Sequence, residues 1–382
     1  MSIATEIERI KTNIANAYTT CEEKGATLPD IRNSANLVDC ISSITGGEVV
    51  KKTLQYYGKT SNLSKERSQL ESSLTTVGTY ALVCGGYHSS GYYTNVDTYS
   101  ISLVKGTATG LSKGRSRVAA ERVGNYALVA GGGTGSAAST NSTIVDTYTD
   151  QLVKGTATDL SVGRRFFAKS TASIGDYALF GSGTNASGTY TSNIDAYNSS
   201  LVKTTLTHDV AKYWGGVATV GNYALFAGGQ DSSNGYLAEV DTYNKDLVKG
   251  TATSLALART KMGSASNGKY AIFAGGYNGS NQKTTDAYDS SLVKATVESI
   301  TTAKYITAGT RLGEYAIFAG GIGSSQSKTA ESYNAELVRE TLTSISVARS
   351  QLGATSVGDY AFFAGGGDGN YNRAEVDVYQ LV

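Results

Sequence analysis

The 382-residue sequence contains one proline, one tryptophan, two histidines and three cysteines. With so little proline and 40% hydrophobic residues it is neither collagen-like nor disordered, since the first needs abundant proline and the second has little to bury. Cys21, Cys40 and Cys84 are odd in number, widely spaced and lack a Cys-x-x-Cys pair. They fit neither a disulfide framework nor a zinc site and read as small buried hydrophobes. His88 and His208 stand far apart, leaving a histidine triad or multi-histidine metal site nothing to build on. Charge is scarce as well: 33 Lys+Arg against 32 Asp+Glu give a net charge of +1. Without a basic block, nucleic acid and anionic membrane are not expected as main partners. No apolar run reaches the roughly 18 residues that span a bilayer, so membrane insertion is not expected. Early acidic residues and the lack of an apolar stretch argue against a secretory signal, so synthesis is expected to finish in a cytoplasm.

What the sequence does have is glycine, 45 residues, and tyrosine, 26, arranged in a repeat. Tyr-Ala-apolar-apolar-x-Gly-Gly begins at Tyr80, Tyr126, Tyr177, Tyr223, Tyr270, Tyr315 and Tyr360, and only the third copy departs, reading Gly181-Ser182-Gly183. An acidic-x-Tyr triplet follows in each copy, starting at Asp97, Asp146, Asp195, Asp241, Asp286, Glu331 and Asp377. Six copies then carry Leu-Val-Lys/Arg, and a basic residue recurs at Arg115, Arg164, Lys212, Arg259, Lys304 and Arg349. Each unit therefore holds four strand-like segments, with hairpin turns such as Val-Gly-Asn before the Tyr-Ala. A four-stranded sheet cannot bury both faces alone, whereas seven arranged radially can. The expected fold is all-β, a seven-bladed β-propeller over residues 45–382. The seventh unit lacks its fourth strand, and Val49–Leu54 matches Leu337–Leu342. The expectation is that an N-terminal strand at Val49–Leu54 completes the last blade and covers its edge.

On these residues the chain resembles the kelch repeat family, whose blades carry hydrophobic residues, a Gly-Gly doublet, a polar-x-Tyr strand and a further strand leading to an arginine. Leu-Val replaces the usual tryptophan after the tyrosine, which suggests a divergent bacterial or viral branch. The resemblance implies a propeller with binding loops on one face and leaves the ligand open.

Residues 1–44 form a different module. Ile3, Ile7, Ile10, Ile14 and Cys21 lie at helical spacing, which argues an amphipathic helix ending near Gly25. A shorter helical stretch with Leu37, Cys40 and Ile41 follows Pro29. One apolar stripe needs a partner, so Ile3, Ile7, Ile10 and Ile14 are the candidate oligomerisation residues. The module is similar to N-terminal modules of tail and other structural proteins of phages of Gram-positive bacteria. That similarity implies attachment to other virion proteins, a homo-oligomer, and a location on the virion surface, tail or capsid exterior.

Catalytic and metal chemistry find little material, so no enzyme activity, cofactor or metal is expected. Asp231–Gly235 and Asp368–Asn370 lack the alternating oxygen ligands of a calcium loop. A carboxylate repeated in every unit is better explained by a bond that every blade must make, a pair between blades or a cap on the doublet amides, than by a ligand. Tyrosine placement says more. Beyond the two framework positions per unit and Tyr18, eleven tyrosines fall in or beside the second-to-third and fourth-to-first connections, which share one face. Nine of them, Tyr87, Tyr92, Tyr93, Tyr190, Tyr213, Tyr236, Tyr277, Tyr305 and Tyr371, are the candidate ligand-binding residues; the others are Tyr56 and Tyr57. Tyrosine among Ser, Gly and Asn is the composition of adaptable recognition surfaces. The function expected is a non-enzymatic virion protein binding a host-surface glycan or protein through this face. A virion structural or decoration subunit, an intracellular kelch-type scaffold and a glycan-hydrolysing propeller are the alternatives.

Overall fold

The computed structural model describes residues 11–19, 21, 52–166 and 169–382. The chain divides into two compact units, Met1–Thr53 and Leu54–Val382. In the first, residues 11–19 and 21 are helical, with Tyr18 and Cys21 buried and Ile14 half-buried at helical spacing. Ile3, Ile7, Ile10 and Cys40 lie outside the described residues.

The second unit is a seven-bladed β-propeller, each blade a four-stranded antiparallel sheet, and in blades 1 to 6 the strands follow in chain order from the inside outwards. In blade 1 they are Leu74–Val77, Tyr80–Cys84, Val96–Ser100 and Lys105–Ala108. The second strand starts on the repeat's tyrosine in all seven blades. Tight glycine turns join the first two strands: Gly124 sits at φ +52°, and a Cβ there would lie 2.9 Å from Ser199 Cβ of the next blade. Only glycine suits both the turn and the close blade packing.

The hydrophobic core is split among the blade interfaces. Tyr99, for example, packs between blades 7 and 1 with Leu74, Phe362 and Val378, and Tyr148 packs between blades 1 and 2 with Val77, Val96 and Val129. Such a tyrosine closes each interface, and in six blades its hydroxyl donates to a backbone carbonyl, as Tyr99 does to Ser61 at 2.8 Å. The leucines of Leu-Val-Lys/Arg adopt φ near +60°, an unfavourable conformation for a branched side chain. Leu103, Leu152 and Leu201 each reach from there into an interface, which explains why the repeat keeps them. Cys84 is buried in one interface, as expected of a small hydrophobe.

The last blade is closed by an N-terminal strand, but not the expected one. Leu54–Lys59 pairs with Val376–Leu381, Tyr56 opposite Tyr379 and Lys59 opposite Asp377, with a bulge between Tyr56 and Gly58. In blade 6 the partner of Tyr333 is Arg339, so the residue standing for Arg339 is Tyr56 and not Lys51. The sequence match slipped because an outer strand is buried on alternate residues only, and its pattern specifies register weakly. Tyr56 and Tyr57 thereby belong to this strand and not to the loop face.

Candidate functional site

The repeated charges turn out to be framework. In the loop entering blade 2, the Arg115 carbonyl accepts the Gly86 N–H of blade 1 at 2.8 Å. Its guanidinium donates to the Gly131 and Ile144 carbonyls at 2.7 Å and pairs with Asp146. The glycine-to-basic-residue bond recurs at Gly132–Arg164, Gly183–Lys212, Gly229–Arg259, Gly276–Lys304, Gly321–Arg349 and Gly366–Arg67. The ion pairs recur as well: Arg67–Asp97 at 2.8 Å, Arg164–Asp195 at 2.9 Å, Arg259–Asp286 at 2.8 Å and Arg349–Asp377 at 2.6 Å, with both side chains fully buried. The carboxylate also accepts from a backbone N–H in the same connection, Ser64, Ser112 or Ser161 in blades 1 to 3, and so has the several donors that a buried charge requires.

Blade 4 departs from this pattern in a way the sequence reading missed. Lys212 stands for arginine, Asp209 for the capping serine, and His208 where the other connections carry Leu63, Leu111, Leu160, Leu255, Ile300 and Ile345. His208 Nδ1 is 2.9 Å from Asp241 Oδ2, and its Nε2 is 3.3 Å from Ser182 Oγ. Ser182, at φ +62°, occupies the first-glycine position of the other doublets. His208 thus bonds to residues of two blades, a link that the sequence separations do not reveal. A lysine makes one point contact where an arginine offers a fork, and the Asp209 side chain has no donor, so His208 supplies the hydrogen bond that Asp241 would otherwise lack. Burial pushes the His208 imidazole down to about 4, against the bond it donates to Asp241. For Asp241 burial acts upward, but the bonds from His208 and Lys212 outweigh it and hold the carboxyl well below the carboxylate range.

The inner-strand and third-strand turns occupy one face, and the second-to-third and outer-to-inner connections occupy the other. All nine candidate tyrosines are on the latter, and five of them form one arc over blades 3 to 6. Tyr190 stacks on Tyr213 at 4.0 Å between ring centroids, and Tyr213 stacks on Trp214 at 4.5 Å. Tyr277 lies 5.5 Å from Tyr305 and 6.2 Å from Tyr236. Lys261 links the two groups: its Nζ is 3.7 Å from the Trp214 ring centroid and 5.4 and 5.5 Å from those of Tyr277 and Tyr305. Tyr87 and Tyr92 pack together in blade 1, with Tyr93 stacked beside His88. Tyr371 stands by itself, 70% exposed. The rings in the arc are half-buried, with part of each open to solvent.

Repeat position separates the arc from the framework. Tyr213 and Tyr305 pair in backbone register with Gln230 and Ile322, as Ser68, Ser116 and Ser350 pair with Tyr87, Gly133 and Gly367. The same backbone forms with serine, so no blade needs the ring. Asp231 and Asp368, the two calcium-loop candidates, spend a carboxylate oxygen on amides of their own turns, Ser233 and Gly235 in one and Asn370 and Tyr371 in the other.

The arc borders the mouth of the central channel. Trp214, Lys261 and Ile306 lead into successive inner strands at φ between +53° and +56°, and the carbonyls of Trp214 and Lys261 accept the N–H of Lys261 and Ile306. Lys261 and Ile306 also line a cavity in the channel, together with Glu71, Glu121, Lys169 and several hydroxyls. Burial pushes the Glu71 carboxyl up to about 7, with Arg117 acting against it. Neither Trp214, Lys261 nor Glu71 was singled out as a site residue from the sequence. The sequence carried little signal for Lys261, since the counterparts two residues after each repeated basic residue are as varied as Gln69, Arg117, Phe166, Trp214, Ile306 and Gln351.

No protein family and no curated protein matches this sequence. The solved structure of YjhT is similar to it, with a TM-score of 0.55 and 11% identity over 74% of this chain and 99% of that one. At this identity the likeness shows the β-propeller fold alone.

Proposed function

We propose that this is a non-catalytic binding protein, a divergent kelch-type propeller whose loop face docks a host-surface glycan or protein through the aromatic arc. The observation that carries the reading is the contiguity of Tyr190, Tyr213, Trp214, Tyr236, Tyr277 and Tyr305 at positions the blade architecture does not require. Partly exposed rings provide contact area at low conformational cost, and the Ser and Asn side chains around them provide adaptable hydrogen bonds. The similarity of residues 1–44 to phage structural modules supports a place on a virion surface. In a homo-oligomer, several weak sites gain avidity without any new contact.

Whole-cell and glycan-array binding tests this. Tyr213→Ala and Tyr277→Ala lower binding, while Asn125→Ala and Asn222→Ala, in turns on the opposite face, leave it unchanged. The reverse pattern removes the face assignment, and a protein that binds neither cells nor glycans but assembles with virion proteins is a structural subunit.

A further inference from the structure

The channel mouth holds three polar groups that the chain leaves unsatisfied. Among the described residues Lys261 Nζ makes no hydrogen bond or ion pair, and it lies beside the rings of Trp214, Tyr277 and Tyr305. Burial alone acts on its pKa, downward, with no carboxylate opposing it. Thr307 Oγ1, on a residue 7% exposed, has no partner, and neither has Glu71 Oε2. All three residues line the same cavity. Aromatic faces attract an ammonium but carry no net charge, so this cation is held in place without being neutralised. Buried polar atoms in native proteins nearly always find partners, so two buried orphans beside a half-buried, unneutralised ammonium in one cavity point to a missing partner.

From these groups we infer that the channel mouth binds an acidic sugar of the hexuronic acid class, its carboxylate on Lys261 and its hydroxyls on Thr307 and Glu71. This rests on the loop-face reading above and specifies its ligand. One ammonium matches one carboxylate, and the bond is charge-assisted and strengthened by partial burial. The rings of Tyr277 and Tyr305 give the apolar face of a pyranose a surface to lie on. Ser264 and Thr310 add hydroxyls to the same wall, so a polyol is matched at more than one point. A carboxyl such as Glu71, near its titration midpoint at neutral pH, can donate as well as accept.

The test is calorimetric titration of the full chain at pH 7 with trigalacturonic acid and with the same trisaccharide as its methyl ester, which keeps the ring and removes the charge. The acid binds and the ester binds about tenfold or more weakly. Lys261→Met weakens the acid by a similar factor and leaves the ester unchanged, while Lys261→Arg retains the preference. The comparison on the unaltered protein needs no variant, and thermal melting shows whether each variant is folded. Equal affinity for acid and ester, no binding of the acid, or no effect of Lys261→Met overturns the inference. Cell binding by Tyr190→Ala and Tyr213→Ala separates the two readings. If it falls while uronate does not bind, only the acidic sugar is wrong; if it is unchanged, the loop face itself is wrong.

Discussion

Gly366 donates its backbone N–H to the carbonyl of Arg67 at 2.9 Å, tying the seventh blade to the loop that enters the first. It is the bond Gly86 makes to Arg115 between blades 1 and 2, so the seam of the ring is built like every other interface. The Arg67 guanidinium then pairs with buried Asp97, which couples backbone closure to charge burial.

That coupling makes single arginines expensive to lose. Arg115→Ala leaves Asp146 buried with only the Ser112 and Lys154 contacts, and the expected cost is about 3–5 kcal/mol. Arg115→Lys, the arrangement natural to blades 4 and 6, costs less. Urea denaturation midpoints of the two variants check this order.

Blade 4 has its own pH dependence. His208 titrates at about 4 in the folded protein against 6.5 as a free side chain, so between those values the unfolded chain binds the extra proton. Stability is therefore full above about pH 6.5 and falls as the pH drops toward 4, by up to about 3 kcal/mol. His208→Leu restores the residue type of the other blades, lowers stability at pH 7 by removing a donor from Asp241, and flattens this part of the profile. Denaturation at pH 7 and pH 4.5 compares the two proteins.

Glu71 pulls the other way. Its carboxyl, raised to about 7, keeps its proton in the folded chain while the unfolded chain loses it near 4.5, so stability declines as pH rises between these values. Glu71→Gln keeps the size and abolishes that decline. The variant gains stability relative to the parent on going from pH 5 to pH 8, measured by thermal melting.

On the binding side, among Tyr213→Ala, Tyr236→Ala, Tyr277→Ala and Tyr305→Ala a few weaken ligand binding by about 1–2 kcal/mol and the others by less. Their melting temperatures stay close to that of the parent, because serine supports the same backbone at the position of Tyr213 and Tyr305, and glycine at that of Tyr277. Titration and melting on the same preparations provide both numbers.

Removal of residues 1–53 leaves a folded propeller, whereas removal of 1–59 takes away the outer strand of blade 7 and the Tyr56 hydroxyl bond to Asp377 at 2.5 Å. The second truncation melts at a markedly lower temperature. Equal melting of the two shows that the closing strand is dispensable.

The blade count was legible because Tyr-Ala-apolar-apolar-x-Gly-Gly is fixed by burial on both faces and by two left-handed glycines, constraints that few sequences meet together. The closing strand was not, since Leu54–Lys59 buries alternate residues only and is marked by neither glycine doublet nor buried acid. Tyr213, Tyr277 and Tyr305 could be assigned to a face by counting strands, but their joining through Trp214 and Lys261 depends on ring geometry between blades. The Ser182–His208–Asp241 chain spans two blades, with separations of 26 and 33 residues. It becomes visible only when the connections are aligned and histidine is seen in the place of leucine. Glu71 and Thr307 look like ordinary polar residues until the inner strands are known to face a cavity.

The closing strand also sets a timetable for synthesis. Tyr56 and its partner Asp377 are 321 residues apart. At roughly 5–20 residues per second, the strand emerges from the ribosome on the order of 15–60 s before its partner exists. Blades 1 to 6 each complete their own sheet as the chain emerges, but the seventh must recruit an edge that has been exposed since the beginning. A chain cut short before Val376 therefore holds six finished sheets and an open ring.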